Sequence, residues 1–154
     1  MNAAEVHLVL NHLPSIIPLV GIPVLIAGLI KRSEPVQKAG LWILLMGGLS
    51  VIPTYLSGDP AEDVLKKFYN FSLDLVNEHE EAALFGLISM LIAAAISALI
   101  LILFRLKKKV AKPLWAAMIF LSLWSLSVLL RTSYLGGLIR HEETRPAAVV
   151  QPPK

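Results

Sequence analysis

Four long apolar stretches, at 6–30, 41–56, 82–104 and 114–139, constrain this chain more than anything else in it. Each is close to the roughly 20 apolar residues that cross about 30 Å of hydrocarbon as a helix. Backbone groups in lipid have no water to bond, and a helix satisfies them within its own segment. The expected architecture is therefore an all-α integral membrane protein, a four-transmembrane-helix bundle. So little sequence lies outside these stretches that 1–145 reads as a single domain with no soluble catalytic module. The remainder, 146–154, reads as a disordered tail.

Hydrophobic residues make up 56% of the sequence, above the share in an ordinary globular domain. The formal charge of +3 carries no nucleic-acid signal, because the basic residues fall where membrane topology needs them. Cysteine is absent, which excludes disulfides, iron–sulfur clusters, thiolate metal sites and haem attachment through C-x-x-C-H. Ahead of the first stretch stands Glu5 and no basic residue, whereas Lys31-Arg32 follows it, the reverse of a signal peptide. A retained first helix with its N-terminus outside is expected.

Two short connections are basic: Lys31-Arg32-Ser33-Glu34-Pro35-Val36-Gln37-Lys38 and Arg105-Leu106-Lys107-Lys108-Lys109-Val110-Ala111-Lys112-Pro113. Alternating spans put both on one side, and positive charge in short loops marks the cytoplasm. Both termini and the connection between spans two and three then face the outer side, the periplasm of a bacterial inner membrane. Pro14, Pro18 and Pro23 make the first span irregular, and a bend near Pro14 would tilt the His7/His12 turn toward the bundle axis. Gly47-Gly48 in the second span would admit a close helix neighbour. Gly58 suits the positive φ that ends a helix, and Pro60 suits the first turn of the next. Over 61–77 the apolar residues Val64, Leu65, Phe68, Phe71, Leu75 and Val76 recur at helical spacing, which predicts an amphipathic helix on the outer surface.

Four histidines fall at the outer ends of this arrangement: His7 and His12 enter the first span, His79 opens the third, and His141 follows the fourth. On one regular helix, His7 and His12 stand about 140° and about 7.5 Å apart, so they serve different partners rather than chelating one ion. Depth pairs His12 with His79 and His7 with His141. Neutral imidazoles are good axial ligands, so one or two haem b groups fit this supply. His79, Ala83 and Gly86 share one helix face, which leaves room for a flat macrocycle or equally for a plain helix–helix contact. Arg131 and Arg140 are candidate partners for haem propionates. The competing chemistry is a Zn²⁺ or Cu²⁺ site built from His7, His12, His79 and His141 with Glu78, Glu80 or Glu142. No spacing supports Ser/His/Asp catalysis.

These residues resemble a bacterial membrane family, that of the domain of unknown function 2231. Its pattern opens with H-P-x-x-V-H-F-P, carries a Gly/Pro-containing turn after the second helix, a His at the start of the third, and closes on G-G-x-x-x-x-H. The chain shows His7-x-x-x-x-His12-x-Pro14, Thr54-x-x-x-Gly58-Asp59, His79, and Gly136-Gly137 ahead of His141. It departs at Leu8, where the family has proline, and at Leu13, where it has phenylalanine. The resemblance implies a four-helix membrane fold in a redox setting, since relatives are joined to Rieske-type or cytochrome modules. The resulting expectation is an electron-transfer protein or respiratory-complex subunit rather than a stand-alone enzyme. Its partners would be the lipid bilayer, a Rieske or cytochrome c protein or quinone, and no nucleic acid. A zinc- or copper-binding membrane protein and a cofactor-free structural subunit are the alternatives.

Overall fold

The computed structural model describes residues 1–68 and 72–140, the side chains at 68 and 140 excepted. Six helices follow in order among the described residues: α1 (Ala3–Leu10), α2 (Leu13–Ile30), α3 (Glu34–Leu56), α4 (Gly58–Phe68), α5 (Leu73–Arg105) and α6 (Lys112–Arg140). Four candidate spans are long and apolar enough to cross a membrane: Ala3–Ile30, Glu34–Lys67, Leu73–Arg105 and Lys112–Ile139. The chain is thus an all-helical, multi-pass membrane protein. α2 packs on α3, α3 on α5 and α5 on α6, and a smaller contact brings α6 back to α2.

Apolar side chains fill the core, Leu25, Leu41, Ile100 and Met118 fully buried, and also cover the outside. Ser97, Ser122 and Ser125 are fully buried, whereas Phe85 and Phe120 are each 66% exposed and Trp124 is 56% exposed. An apolar surface of this kind is a liability in water and the correct face for lipid. Lipid tails are as apolar as leucine, so the helices associate through close backbone approach rather than hydrophobic exclusion. Gly48 shows it: a Cβ there would lie 2.5 Å from the Ala94 Cβ and 2.8 Å from the Met90 carbonyl of α5. Gly40 does the same for α2, where a Cβ would stand 2.6 Å from the Leu25 backbone nitrogen. The expected close neighbour at Gly47-Gly48 is therefore present.

The two basic connections close in the same way. Arg32 and Lys107 adopt left-handed backbone conformations, with φ of 52° and 53°. Around them the Arg32 and Lys107 N–H groups bond the Leu29 and Phe104 carbonyls, and the Ser33 and Lys108 N–H groups bond those of Gly28 and Leu103. This is the Schellman closure, here made without glycine.

Three local expectations are corrected. The first span is two helices rather than one bent one, because α1 stops at Leu10 and α2 starts at Leu13. Gly58 has no positive φ and opens α4, since α3 ends on Ser57 in right-handed helical geometry. The surface helix predicted over 61–77 is the shorter α4, packed on α1. Ser72, with extended backbone, starts α5, and Leu75 and Val76 are buried in α5 rather than resting on headgroups. Helical spacing of apolar residues continues across this boundary and gives no sign of it. Phe71 and the tail at 146–154 lie outside the described residues.

Gly48→Val forces a side chain into α5, with an expected cost of about 1–3 kcal/mol or outright loss of assembly. Gly137→Ala enters open space and is expected to be neutral to about 1 kcal/mol stabilising. Thermal unfolding of both purified variants in detergent separates the two outcomes.

Candidate functional site

The histidine end begins with a well-formed helix start. Asn2 caps α1: its Oδ1 accepts from the Glu5 N–H at 2.9 Å, and Glu5 Oε2 accepts from the Asn2 N–H at 3.0 Å, a reciprocal capping box. This fixes α1 so that His7, partly buried, meets the C-terminal end of α3.

The break after α1 comes from Pro14. It has no N–H, so the Leu10 carbonyl four residues earlier lacks its helical donor. Thr54 of α3 offers a substitute, its hydroxyl lying 3.1 Å from the Leu10 carbonyl oxygen and 3.0 Å from that of Ser50, with one proton shared between the two. A membrane helix tolerates proline when a neighbour re-satisfies the freed group in this manner.

One turn along α3, the Ser57 hydroxyl donates to the Thr54 carbonyl at 2.7 Å. A hydroxyl has a single proton, and its 2.8 Å contact with His7 is satisfied together with the Thr54 bond when Ser57 Oγ accepts and His7 Nδ1–H donates. In the neutral ring the lone pair is then on Nε2. His79 reaches the same state from α5. Its Nδ1 is 2.9 Å from the Thr132 carbonyl oxygen of α6, which can only accept, and Nε2 again keeps its lone pair.

Gly136 makes that second contact reachable. It lies one turn beyond Thr132, and a Cβ there would sit 3.1 Å from His79 Cε1 and 3.3 Å from Nδ1. A side chain at this position would press on the His79 ring.

The remaining candidates fall elsewhere. His12 is exposed at the N-terminus of α2 and makes no capping bond with its side chain. His141 lies outside the described residues, as does the Arg140 side chain, although its backbone ends α6. Arg131 is exposed and forms no ion pair among the described residues. The face of α5 below His79 is a helix–helix contact, because a Cβ at Gly86 would meet Leu129 of α6 at 3.0 Å. Glu78 and Glu80 are exposed, and no group of three or more His, Cys, Asp or Glu that could hold a metal ion occurs among the described residues.

Sequence reasoning singles out the histidines but not their holders Ser57 and Thr132. The available signal was the donor lost at Pro14 together with hydroxyls at i and i+3 in Thr54 and Ser57. No family model, curated protein or solved structure matches the chain.

Thr54→Val is expected to cost about 0.5–1.5 kcal/mol by leaving the Leu10 carbonyl without its donor. In a Pro14→Ala background, where the helix can supply that N–H itself, the cost shrinks. Thermal unfolding of the four proteins in the double-mutant cycle measures the difference.

Proposed function

We propose that this chain is a membrane electron-transfer protein or respiratory-complex subunit that binds haem b near the outer membrane face through His7 and His79. The observation carrying the reading is the matched state of the two rings: each is held at Nδ1 by an oxygen acceptor, Ser57 or Thr132, which leaves Nε2 to ligate. Metal-binding histidines are characteristically oriented by such a bond at the other ring nitrogen. Haem iron takes only two axial ligands from the protein, whereas zinc sites use three or four. Among the described residues two imidazoles, one on α1 and one on α5, carry such a bond, a number that suits haem better than zinc.

The donor set fits haem, while the small-residue face of α5 adds no support, since Leu129 fills it at Gly86. Bound haem would supply a reversible one-electron iron couple. The chain's own part is to fix both imidazole tautomers and to hold the two rings on separate helices. Arg131, exposed one residue before Thr132, offers a cation to a propionate. By the positive-inside rule the basic connections face the cytoplasm, so the histidine end and both termini are periplasmic in a bacterial inner membrane. A Rieske or cytochrome c protein, or quinone, is then the exchange partner. The same features suit membership of the family that the sequence resembles.

The test is a reduced-minus-oxidised spectrum of the full chain, purified after expression with ample haem. Soret and α bands are expected, lost in His7→Ala and in His79→Ala and kept in His12→Ala. Their absence from the parent protein ends the haem reading. Stoichiometric zinc or copper in its place, lost with the same two substitutions, assigns a metal-handling protein. Neither cofactor, with assembly unchanged by the substitutions, assigns a structural subunit.

A further inference from the structure

The opposite end of the bundle holds a cleft of about 820 Å³, where the start of α3, the end of α5, the connection to α6 and Trp115 meet. Its walls carry Lys38, Arg105, Lys107, Lys108 and Lys109 against a single carboxylate, Glu34. One of these charges is already partnered: Lys38 Nζ lies 2.6 Å from Glu34 Oε1 and 5.4 Å from the Phe104 ring centroid. Arg105 and the three consecutive lysines make no ion pair among the described residues. The C-terminal carbonyls of α5 would repel an anion, but the Lys107 and Lys108 N–H groups bond those of Phe104 and Leu103. Unpaired positive charge therefore dominates the cleft.

We propose that this cleft binds the phosphodiester headgroup of an anionic phospholipid. The charge calls for a phosphate, and a free phosphate shares that chemistry. The rest of the cleft points to the lipid. Phe104 and Trp115 form an aromatic floor, with ring centroids 6.1 Å apart at 51°. Val110 lines the cleft with them, so an apolar wall for acyl chains stands beside the basic rim. A ligand with an anionic head and apolar tails satisfies both the rim and the floor, whereas an inorganic ion uses only the rim. Basic clefts between spans are suited to such headgroups, each Lys or Arg near a charged membrane surface contributing about 1 kcal/mol. The proposal is independent of the haem reading, which concerns the other end of the molecule.

The experiment uses the full chain in zwitterionic detergent, with phosphatidylglycerol, phosphatidylcholine of the same acyl chains and inorganic phosphate as probes, read by native mass spectrometry. Phosphatidylglycerol is expected to bind at least about tenfold more tightly than phosphatidylcholine. Lys107→Gln/Lys108→Gln/Lys109→Gln should abolish that preference. The corresponding Lys→Arg triple should keep it, as should Lys66→Gln/Lys67→Gln at the other end. If the glutamine triple does not fold, Lys108→Gln alone decides, with an expected weakening of about fivefold. Equal binding of the two lipids, or an undiminished preference in the folded glutamine variant, overturns the proposal. Displacement of phosphatidylglycerol by inorganic phosphate at equal concentration assigns the cleft to free phosphate and overturns the lipid assignment.

Discussion

A backbone carbonyl that loses its helical donor needs another, and the histidine end of this protein depends on how one such carbonyl is satisfied. Pro14 withholds the N–H that Leu10 would otherwise receive, and the Thr54 hydroxyl reaches across from α3 toward it, sharing its proton with the Ser50 carbonyl. That bond anchors the end of α1 to α3. A turn further along, Ser57 takes the proton of His7 Nδ1, so the same strip of α3 that repairs the helix break also orients the imidazole. The break turns His7 toward the bundle and leaves His12 exposed. Irregular backbone and ring orientation are thus one feature.

The second ring obeys the same economy of polar groups. His79 donates to the Thr132 carbonyl, a group already within a helix but with capacity for another donor. Access to it rests on the absence of a side chain at Gly136. Elsewhere in the interior small residues set the spacing: Gly48 against Ala94, Gly40 against the Leu25 backbone, and Ser15 facing Ser133 across α2 and α6 at 3.3 Å. Many large apolar side chains point outward, while Leu25, Leu41, Ile100 and Met118 fill the space between helices. The protein is held together by contact distance and hydrogen bonds because its solvent removes the hydrophobic term between helices.

The two ends of the bundle differ in chemistry. One gathers partly buried imidazoles with their Nδ1 atoms occupied, and the other gathers unpaired lysines above aromatic rings. Much of this was legible from residue types alone. Runs of basic residues and the lack of acidic partners are written along the chain, as are the four spans, the close neighbour at Gly47-Gly48 and the position of the histidines at the span ends. The surface helix was legible only in part, since apolar spacing runs on through the boundary at Ser72 and the start of α5. The relation between Ala83, Gly86 and a flat ligand was not legible, because small residues look alike whether a macrocycle or Leu129 fills the space above them.

The sequence by itself determined what the chain must do with its backbone. Segments long enough to cross a bilayer have to be helical, loops rich in lysine group on one side, and a proline deprives the carbonyl four residues earlier of its donor. These are local consequences of covalent structure and solvent. The tertiary structure alone decided which donor repairs that carbonyl, which histidine turns inward, and which ring nitrogen stays free. Those outcomes depend on rotation and register between helices far apart in sequence, Leu10 with Thr54, His7 with Ser57 and His79 with Thr132, and no periodicity within one segment encodes them.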